Sequence, residues 1–330
     1  MKQLLNRLIH HETISKEEAR SALISISEGA YNTSQIASFL TVFMMRTITV
    51  DELEGFRDAL LELCIPLSIA DYNTIDLCGT GGDGKNTFNI STLSSFVTAA
   101  AGVHVTKHGN YGVSSISGSS NVLEFLGVAF SNDSDFLKKC LDETGICVLH
   151  APLFHPAMKH VAPIRRELGV KTFFNMLGPM VNPAFPKNQL VGVFNLELAR
   201  LYGYLYQNSS KNYSILHALD GYDEISLTGS TKVISNSSEG ILSPSDFGVD
   251  QIEPSAIFGG NSVKESADIF IKVISGQGTE AQNNVVSANA GMAIATAKGL
   301  EPKAGFELAH EALVSGKAKQ RLEKLIALSS

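Results

Sequence analysis

The rhythm of apolar positions changes near residue 72, and the two rhythms predict two kinds of structure. Before that point apolar residues recur at helical spacing only. Ser15-Lys-Glu-Glu18 and Thr49-Val-Asp-Glu52 are capping-box signatures, in which a hydroxyl and a carboxylate three residues on satisfy each other's orphan amides. Gly29 and Pro66 punctuate this stretch, which predicts a small all-helical domain over residues 1–65 serving packing or dimerisation. From Tyr72 short apolar runs predict strands at Thr74–Cys78, Val103–Lys107, Ile146–His150, Leu190–Phe194 and Tyr213–Leu219. Helical segments fall between them at Thr92–Ala101, Asp133–Thr144 and Leu196–Gln207. Strands alternating with helices imply a mainly parallel sheet covered on both faces. Ile225–Ser243 reads as strands and turns, and Ser262–Ser275, Thr279–Lys298 and Pro302–Ser315 as helices. The fold class is therefore α/β, with a larger domain over 66–330. His155–Leu168 is helical and Pro-interrupted and fits no simple crossover, so part of 155–185 is expected to join the helical domain.

Composition narrows the function classes. Hydrophobic residues at 44% and charged residues at 18% describe an ordinary globular chain. A formal charge of −7 argues against bulk attraction to nucleic acid or anionic membrane, so a polyanion must be held by a local arrangement of groups. Cys64, Cys78, Cys140 and Cys147 form no CxxC pair and no metal spacing, which suits buried, reduced thiols and a cytoplasmic location. The opening MKQLLNRLIHHETIS lacks an apolar signal-type core, and no apolar run approaches the roughly 18 residues of a membrane span.

The most informative stretch is Asp76-Leu-Cys-Gly-Thr-Gly-Gly-Asp-Gly84, directly after the first strand. Gly79-x-Gly81-x-x-Gly84 matches a dinucleotide fingerprint, but that fingerprint needs an acidic residue about 20 positions on to hold a ribose. No Asp or Glu occurs between Asp83 and Glu124, so the nicotinamide reading fails. The same absence favours an anion. Hydroxyls, amides, glycines, Lys85 and Lys107 crowd this acid-free span, and a helix opening near Ser91-Thr92 points its positive end the same way. Ser114, Ser115, Ser117, Ser119 and Ser120 precede another helix at Asn121–Leu126. Two phosphate-sized cradles suit a ligand with two anionic ends; a turn-rich loop of capping serines is the plainer alternative.

GTGGDGKNTFNIST (Gly79–Thr92), KHGN (Lys107–Asn110) with SSISGSSNVLEFLG (Ser114–Gly127), HPAMKHVAPIRRELGVKTFFNMLGPMVNP (His155–Pro183) and DGYDEIS (Asp220–Ser226) together resemble the anthranilate phosphoribosyltransferases. The resemblance spans nearly the whole chain in order. It implies a helical domain plus an α/β domain, a homodimer, and transfer of phosphoribosyl from 5-phosphoribosyl 1-diphosphate to anthranilate in tryptophan biosynthesis. By matching motif, Gly79, Gly82, Asp83, Thr87, Asn89, Ile90, Ser91 and Thr92 are implied at the diphosphate donor. So are Lys107, His108, Gly109, Asn110, Tyr111, Gly112, Val113, Ser114, Ser115 and Ser119. Gly79, Asn110 and Arg165 are implied at anthranilate, and Ser91, Asp223 and Glu224 at Mg²⁺. Tyr111-Gly112 stands where the family commonly has Arg after KHGN, and Asn121 where GSAD would place Asp.

The chemistry is consistent with those residue types. Negative charge accumulates on a departing diphosphate, so fixed N–H donors and a cation help most. Adjacent Asp223-Glu224 offer the hard oxygens that Mg²⁺ prefers, although Asp-Gly-x-Asp-Glu is also a common solvated turn. An aromatic amine is already neutral near pH 7 and needs positioning more than a base. Arg165 can engage both oxygens of a carboxylate, while Arg166 reads as a surface residue. His108, beside Lys107, is a contact candidate rather than a base. Met44, Met45 and Met176 read as core. A nucleoside phosphorylase and a non-enzymatic nucleic-acid-binding relative are the alternatives.

Overall fold

The computed structural model describes residues 1–112 and 116–329. The chain divides into two compact units, Met1–Pro66 with Ala151–Pro183, and Leu67–His150 with Ala184–Ser330.

The first unit is helical. Its long elements are α1 (Lys2–Ile9), α2 (Lys16–Ser27), α3 (Thr33–Met45) and α4 (Val50–Glu62). Ser15 and Glu18 open α2 with a reciprocal capping box, and Thr49 and Glu52 open α4 the same way. Asn32 and Gln35 open α3 by the same device with amides in place of acids. The returning segment 151–183 adds short helices whose lengths are limited by Pro156, Pro163 and Pro179. It also delivers Phe173, which stacks on Phe56 at 4.3 Å and meets Phe39 and Phe43 edge-on. Met44 and Met45 are not core. They fall in the last turn of α3, past the inward Ile36, Leu40 and Phe43, and are 42% and 76% exposed.

Glu52 holds this bundle together by more than its cap. Fully buried, it pairs with Arg46 and accepts the backbone N–H groups of Ile14 (3.0 Å) and Thr49 (2.9 Å). Glu52→Ala strands a buried guanidinium and two amides at once. A loss of about 3–5 kcal/mol is expected, read as the shift in urea-unfolding midpoint.

The second unit is α/β, built on a seven-stranded sheet of order β3-β2-β1-β4-β5-β6-β7. The strands are β1 (Thr74–Gly79), β2 (His104–Gly109), β3 (Ile146–His150), β4 (Asn188–Gly192), β5 (Asn212–Ala218), β6 (Thr231–Ser235) and β7 (Glu239–Leu242). The first five in spatial order run parallel, and β6 and β7 extend the sheet antiparallel. β4 begins two residues before its apolar run and stops at Gly192. Asn188 and Gln189 are buried there because Asn188 donates to Asn73 and Thr74, and Gln189 to Asp76. From β1 the chain winds outward through β2 and β3, then returns to the other side as β4. The crevice above the carboxyl ends of β1 and β4 is thus a topological switch point, where open α/β sheets bind ligands.

α5 (Ile90–Ala100), α6 (Ser119–Phe125) and α7 (Ser134–Thr144) follow the first strands. The helix Glu280–Lys298 is buried without interruption from Val285 to Ala295, close to the helix Pro302–Val314 through Gly291 and Gly305. A terminal helix, Lys317–Ser329, has no counterpart in the sequence reading. No described helix is long and apolar enough to cross a membrane.

All four cysteines are free. Burial pushes the Cys78 thiol up to about 12, Cys140 up to about 11 and Cys147 higher still. Iodoacetamide at pH 8 is therefore expected to leave these three unmodified in the folded protein and to label them in guanidinium, counted by mass spectrometry.

Candidate active site

At the switch point, Gly79 ends β1 beside Gly192, which ends β4. Above them lies the loop that follows β5. An added Cβ on Gly79 would sit 2.5 Å from Asp223 Oδ2, and one on Gly192 would sit 1.4 Å from the Asp223 carbonyl oxygen. Only glycine lets the acidic loop approach the strand ends so closely. The chain leaving β1 then turns through Gly81, Gly82 and Gly84, all at positive φ. Its amides are consequently presented inward: Gly81 N–H donates to Asp223 Oδ2 at 2.7 Å. Asp83 accepts the N–H of Lys85 at 3.0 Å, and the Lys85 ammonium lies over the Tyr222 ring at 4.6 Å.

Thr87 is strapped to the loop before the helix Val263–Ile274, bridging Phe258. Phe88 N–H donates to Ile257, and Gly259 N–H to Asn86. This strap leads into Asn89, Ile90, Ser91 and Thr92 at the start of α5. Asn89 does not cap the helix with its side chain; it donates to the Ser117 carbonyl at 3.0 Å. The helix amide is engaged instead by Glu224, whose Oε1 accepts Ser91 N–H at 2.9 Å. Asp223 and Glu224 therefore each hold one amide of the cradle.

The electrostatics of this pair are strained. Burial, followed by the charge of Asp83 and a shared hydrogen bond with it, pushes the Asp223 carboxyl up to about 7. Burial and then the charges of Asp223 and Asp83 hold Glu224 well above the usual carboxylate range, opposed by Ser91 N–H and Lys107. Lys107 does not extend beyond the strand end. Its Nζ is buried and donates to the Leu77 carbonyl at 2.6 Å. His108 is buried beside it, with its N–H 3.2 Å from Asp76 Oδ1.

After Gly109 the chain runs through Asn110, Tyr111 and Gly112. Asn110 Oδ1 accepts the Tyr111 N–H, and its carbonyl accepts Ser119 Oγ at 3.3 Å. Val113, Ser114 and Ser115 lie outside the described residues. Tyr111 donates its hydroxyl to Glu124 at 3.1 Å and sets its ring against His150, which stacks on Phe130. Burial draws the His150 pKa down, and Ser120 Oγ lies 2.9 Å from its Nδ1. Asn121 Oδ1 accepts both Gly112 N–H (2.9 Å) and Gly118 N–H (3.0 Å), so an amide closes the base of this loop without a charge. Thr80 Oγ1 and Ser117 Oγ are buried with no partner among the described residues.

Arg165 belongs to the helical unit, half-buried at the end of the helix Ala162–Leu168. It donates to Asn175 Oδ1 at 3.2 Å and lies over Phe174 at 5.2 Å. Desolvation lowers its pKa, but a guanidinium keeps its charge. Arg166 is exposed. A cavity of about 540 Å³ lies at the opposite end of β5, lined by Asn212, Ser214, Ser238, Thr296 and Glu301. It lacks a cation and the glycine-rich loop, so the switch point remains the candidate site.

Two glycosyl transferase family models match the chain, the helical bundle domain over residues 2–64 and the a/b domain over 71–319. The anthranilate phosphoribosyltransferase of Flavobacterium psychrophilum is 71% identical over the full length of both chains. The chain belongs to the anthranilate phosphoribosyltransferase family. The Bacteroides fragilis phosphoribosyltransferase of this family is 50% identical, again over both full lengths. Among solved structures, the Thermus thermophilus anthranilate phosphoribosyltransferase superposes with a TM-score of 0.92 at 33% identity, covering 98% of each chain. The Saccharomyces cerevisiae anthranilate phosphoribosyltransferase in complex with PRPP and Mg gives 0.90 at 27% identity, covering 98% of this chain and 96% of that one.

The loop-closing role of Asn121 and the buried bonding of Asp76 have no local signature in the sequence. A carboxylate buried in β1, bonded to His108 N–H and Gln189, looks like any polar residue in a strand.

Proposed function

We propose that the chain is an enzyme that transfers the phosphoribosyl group of 5-phosphoribosyl 1-diphosphate to anthranilate. The products are N-(5-phosphoribosyl)anthranilate and pyrophosphate, a step of tryptophan biosynthesis. Beside the family membership, one observation carries this reading: two adjacent carboxylates held by the amides of Gly81 and Ser91 at the sheet's switch point.

The residues fit Mg²⁺ by their chemistry. Burial and the nearby charge of Asp83 push the Asp223 and Glu224 carboxyls above their usual range, a cost that a divalent cation offsets. Among the described residues no set of three His, Cys, Asp or Glu side chains forms a complete metal site. Mg²⁺ takes one or two carboxylates and completes its shell from water and substrate phosphates. Asp223 and Glu224, with Ser91 beside them, would hold it. When bound, Mg²⁺ supplies positive charge to the diphosphate.

The chain's own groups do the rest. Amides of the 79–84 loop and of the first turn of α5 bind phosphoryl oxygens, and Thr80 and Ser117 offer their unused hydroxyls. As the amine nitrogen bonds to the anomeric carbon and the C–O bond to diphosphate breaks, these fixed donors stabilise the departing charge. The nitrogen then releases its proton to solvent or pyrophosphate. Asn110 contacts anthranilate, and Arg165 clamps its carboxylate.

Mixing protein, anthranilate, donor and Mg²⁺ is expected to quench anthranilate fluorescence; no turnover at any Mg²⁺ concentration would sink the proposal. Arg165→Ala is expected to raise the KM for anthranilate roughly 10- to 100-fold, the loss of a charge-assisted bond, while donor KM stays within about twofold. Equal weakening of both would remove Arg165 from that role. Homodimerisation and a cytoplasmic location are proposed with the function. Exposed Ile9, Met44 and Met45 on the helical unit support self-association, checked by sedimentation equilibrium.

A further inference from the structure

Asn289 sits in the middle of the buried helix Glu280–Lys298 and is itself 3% exposed. Every hydrogen bond of its side chain goes to backbone. Oδ1 accepts Ile225 N–H at 3.0 Å, while Nδ2 donates to the Ile225 carbonyl at 2.8 Å and to the Val285 carbonyl at 2.9 Å. The N–H and C=O of Ile225 thus end on one side chain, as they would on a neighbouring strand. Ile225 directly follows Asp223-Glu224.

We propose that Asn289 is a positioning residue for the acidic pair, fixing the backbone from which Asp223 and Glu224 project and so setting the affinity for Mg²⁺ with the diphosphate donor. The proposal rests on the function proposed above.

Among the anchors of this loop, three bear on residues 223–225. Two are made by the carboxylates themselves, Asp223 on Gly81 N–H and Glu224 on Ser91 N–H. Those are the oxygens a metal would draw on. The Asn289 clamp involves neither carboxylate, so it stays in force while they turn. It also shares a frame with the cradle, since Ser94 of α5 donates to the Val286 carbonyl of the same helix at 3.2 Å. The helix has no need of the amide for its own packing. Val285, Val286, Ala288, Ala290 and Ile294 bury it with apolar surface, and an amide in such a place is costly unless fully bonded. What bonds it is mainly the loop.

The test compares Asn289→Ala with Ser287→Ala in the full chain. Ser287 is buried on the same helix and lies 3.4 Å from His310, away from the loop. Calorimetric titration of 5-phosphoribosyl 1-diphosphate at a series of Mg²⁺ concentrations, without anthranilate, reads metal-dependent donor binding directly. In Asn289→Ala the Mg²⁺ giving half-maximal binding is expected to rise about 10- to 100-fold, the usual effect of losing an outer partner of a metal ligand. The KM for anthranilate is expected to stay within about twofold, and Ser287→Ala to match wild type. An unchanged Mg²⁺ requirement, an equal shift in Ser287→Ala, or a parallel rise in anthranilate KM would each overturn the inference. If Asn289→Ala is insoluble, Asn289→Ser is read the same way. Failure of both to fold would make the residue a core element and also overturn it. Wild-type protein that binds no donor at any Mg²⁺ concentration would remove the underlying function instead.

Discussion

Enzyme carrying Asp223→Asn with Glu224→Gln is expected to lose about a thousandfold or more in kcat/KM and yet to melt higher at pH 8. The two effects have one origin. The carboxylates are the hard oxygens offered to Mg²⁺, and their amide replacements bind it poorly, so charge on the departing diphosphate goes uncompensated. Without a cation, however, the same pair is held at a cost. Asp223 titrates near 7 in the folded chain against 3.8 ordinarily, because of burial and the charge of Asp83. The native state keeps a proton that the unfolded chain has already released, so stability declines as pH rises from about 4 through about 7. The amide variant escapes that decline. Its gain in Tm over wild type, measured without Mg²⁺, should be present at pH 8 and absent near pH 4. A variant less stable at pH 8, or as active as wild type, would contradict the argument.

Gly192→Ala is expected to be severely damaging. Its Cβ would fall 1.4 Å from the Asp223 carbonyl oxygen and 2.6 Å from the carbonyl carbon, both backbone atoms that cannot swing aside. Either β4 or the acidic loop must move. We expect donor binding to vanish, together with several kcal/mol of stability or the soluble protein itself. Gly203→Ala supplies the control. It lies in the helix Leu196–Tyr206, where an added Cβ meets only Ile234 Cγ2 at 3.8 Å. That substitution should be neutral or gain up to about 1 kcal/mol from helix propensity. Similar melting curves for the two variants would show that close approach at β4 is not what matters.

Legibility in the sequence followed the range of the interactions. Glycines in tandem, an acid-free span and hydroxyls before a helix announce a cradle because those signals are local. The α/β class was legible from short apolar runs alternating with helical periods. The apolar run predicts β4 two residues late, because buried Asn188 and Gln189 look like loop residues until Asn73, Thr74 and Asp76 are seen to bond them. Asn289 is invisible for the same reason: its loop partner, the Ile225 backbone, lies 64 positions away. Met44 and Met45 misled in the other direction. Hydrophobicity implied burial, and only the end of α3 decides otherwise.

The helical unit is stitched from two separated stretches of chain, and that has a bearing on its birth. Phe39, Phe43 and Phe56 are synthesised early, whereas Phe173, which stacks among them, follows only after three strands of the sheet have been made. At ordinary translation speeds the ribosome leaves that aromatic cluster without its cover for on the order of ten seconds. Nascent chains halted before residue 173 should accordingly be protease-sensitive in their first sixty residues, and candidates for chaperone capture.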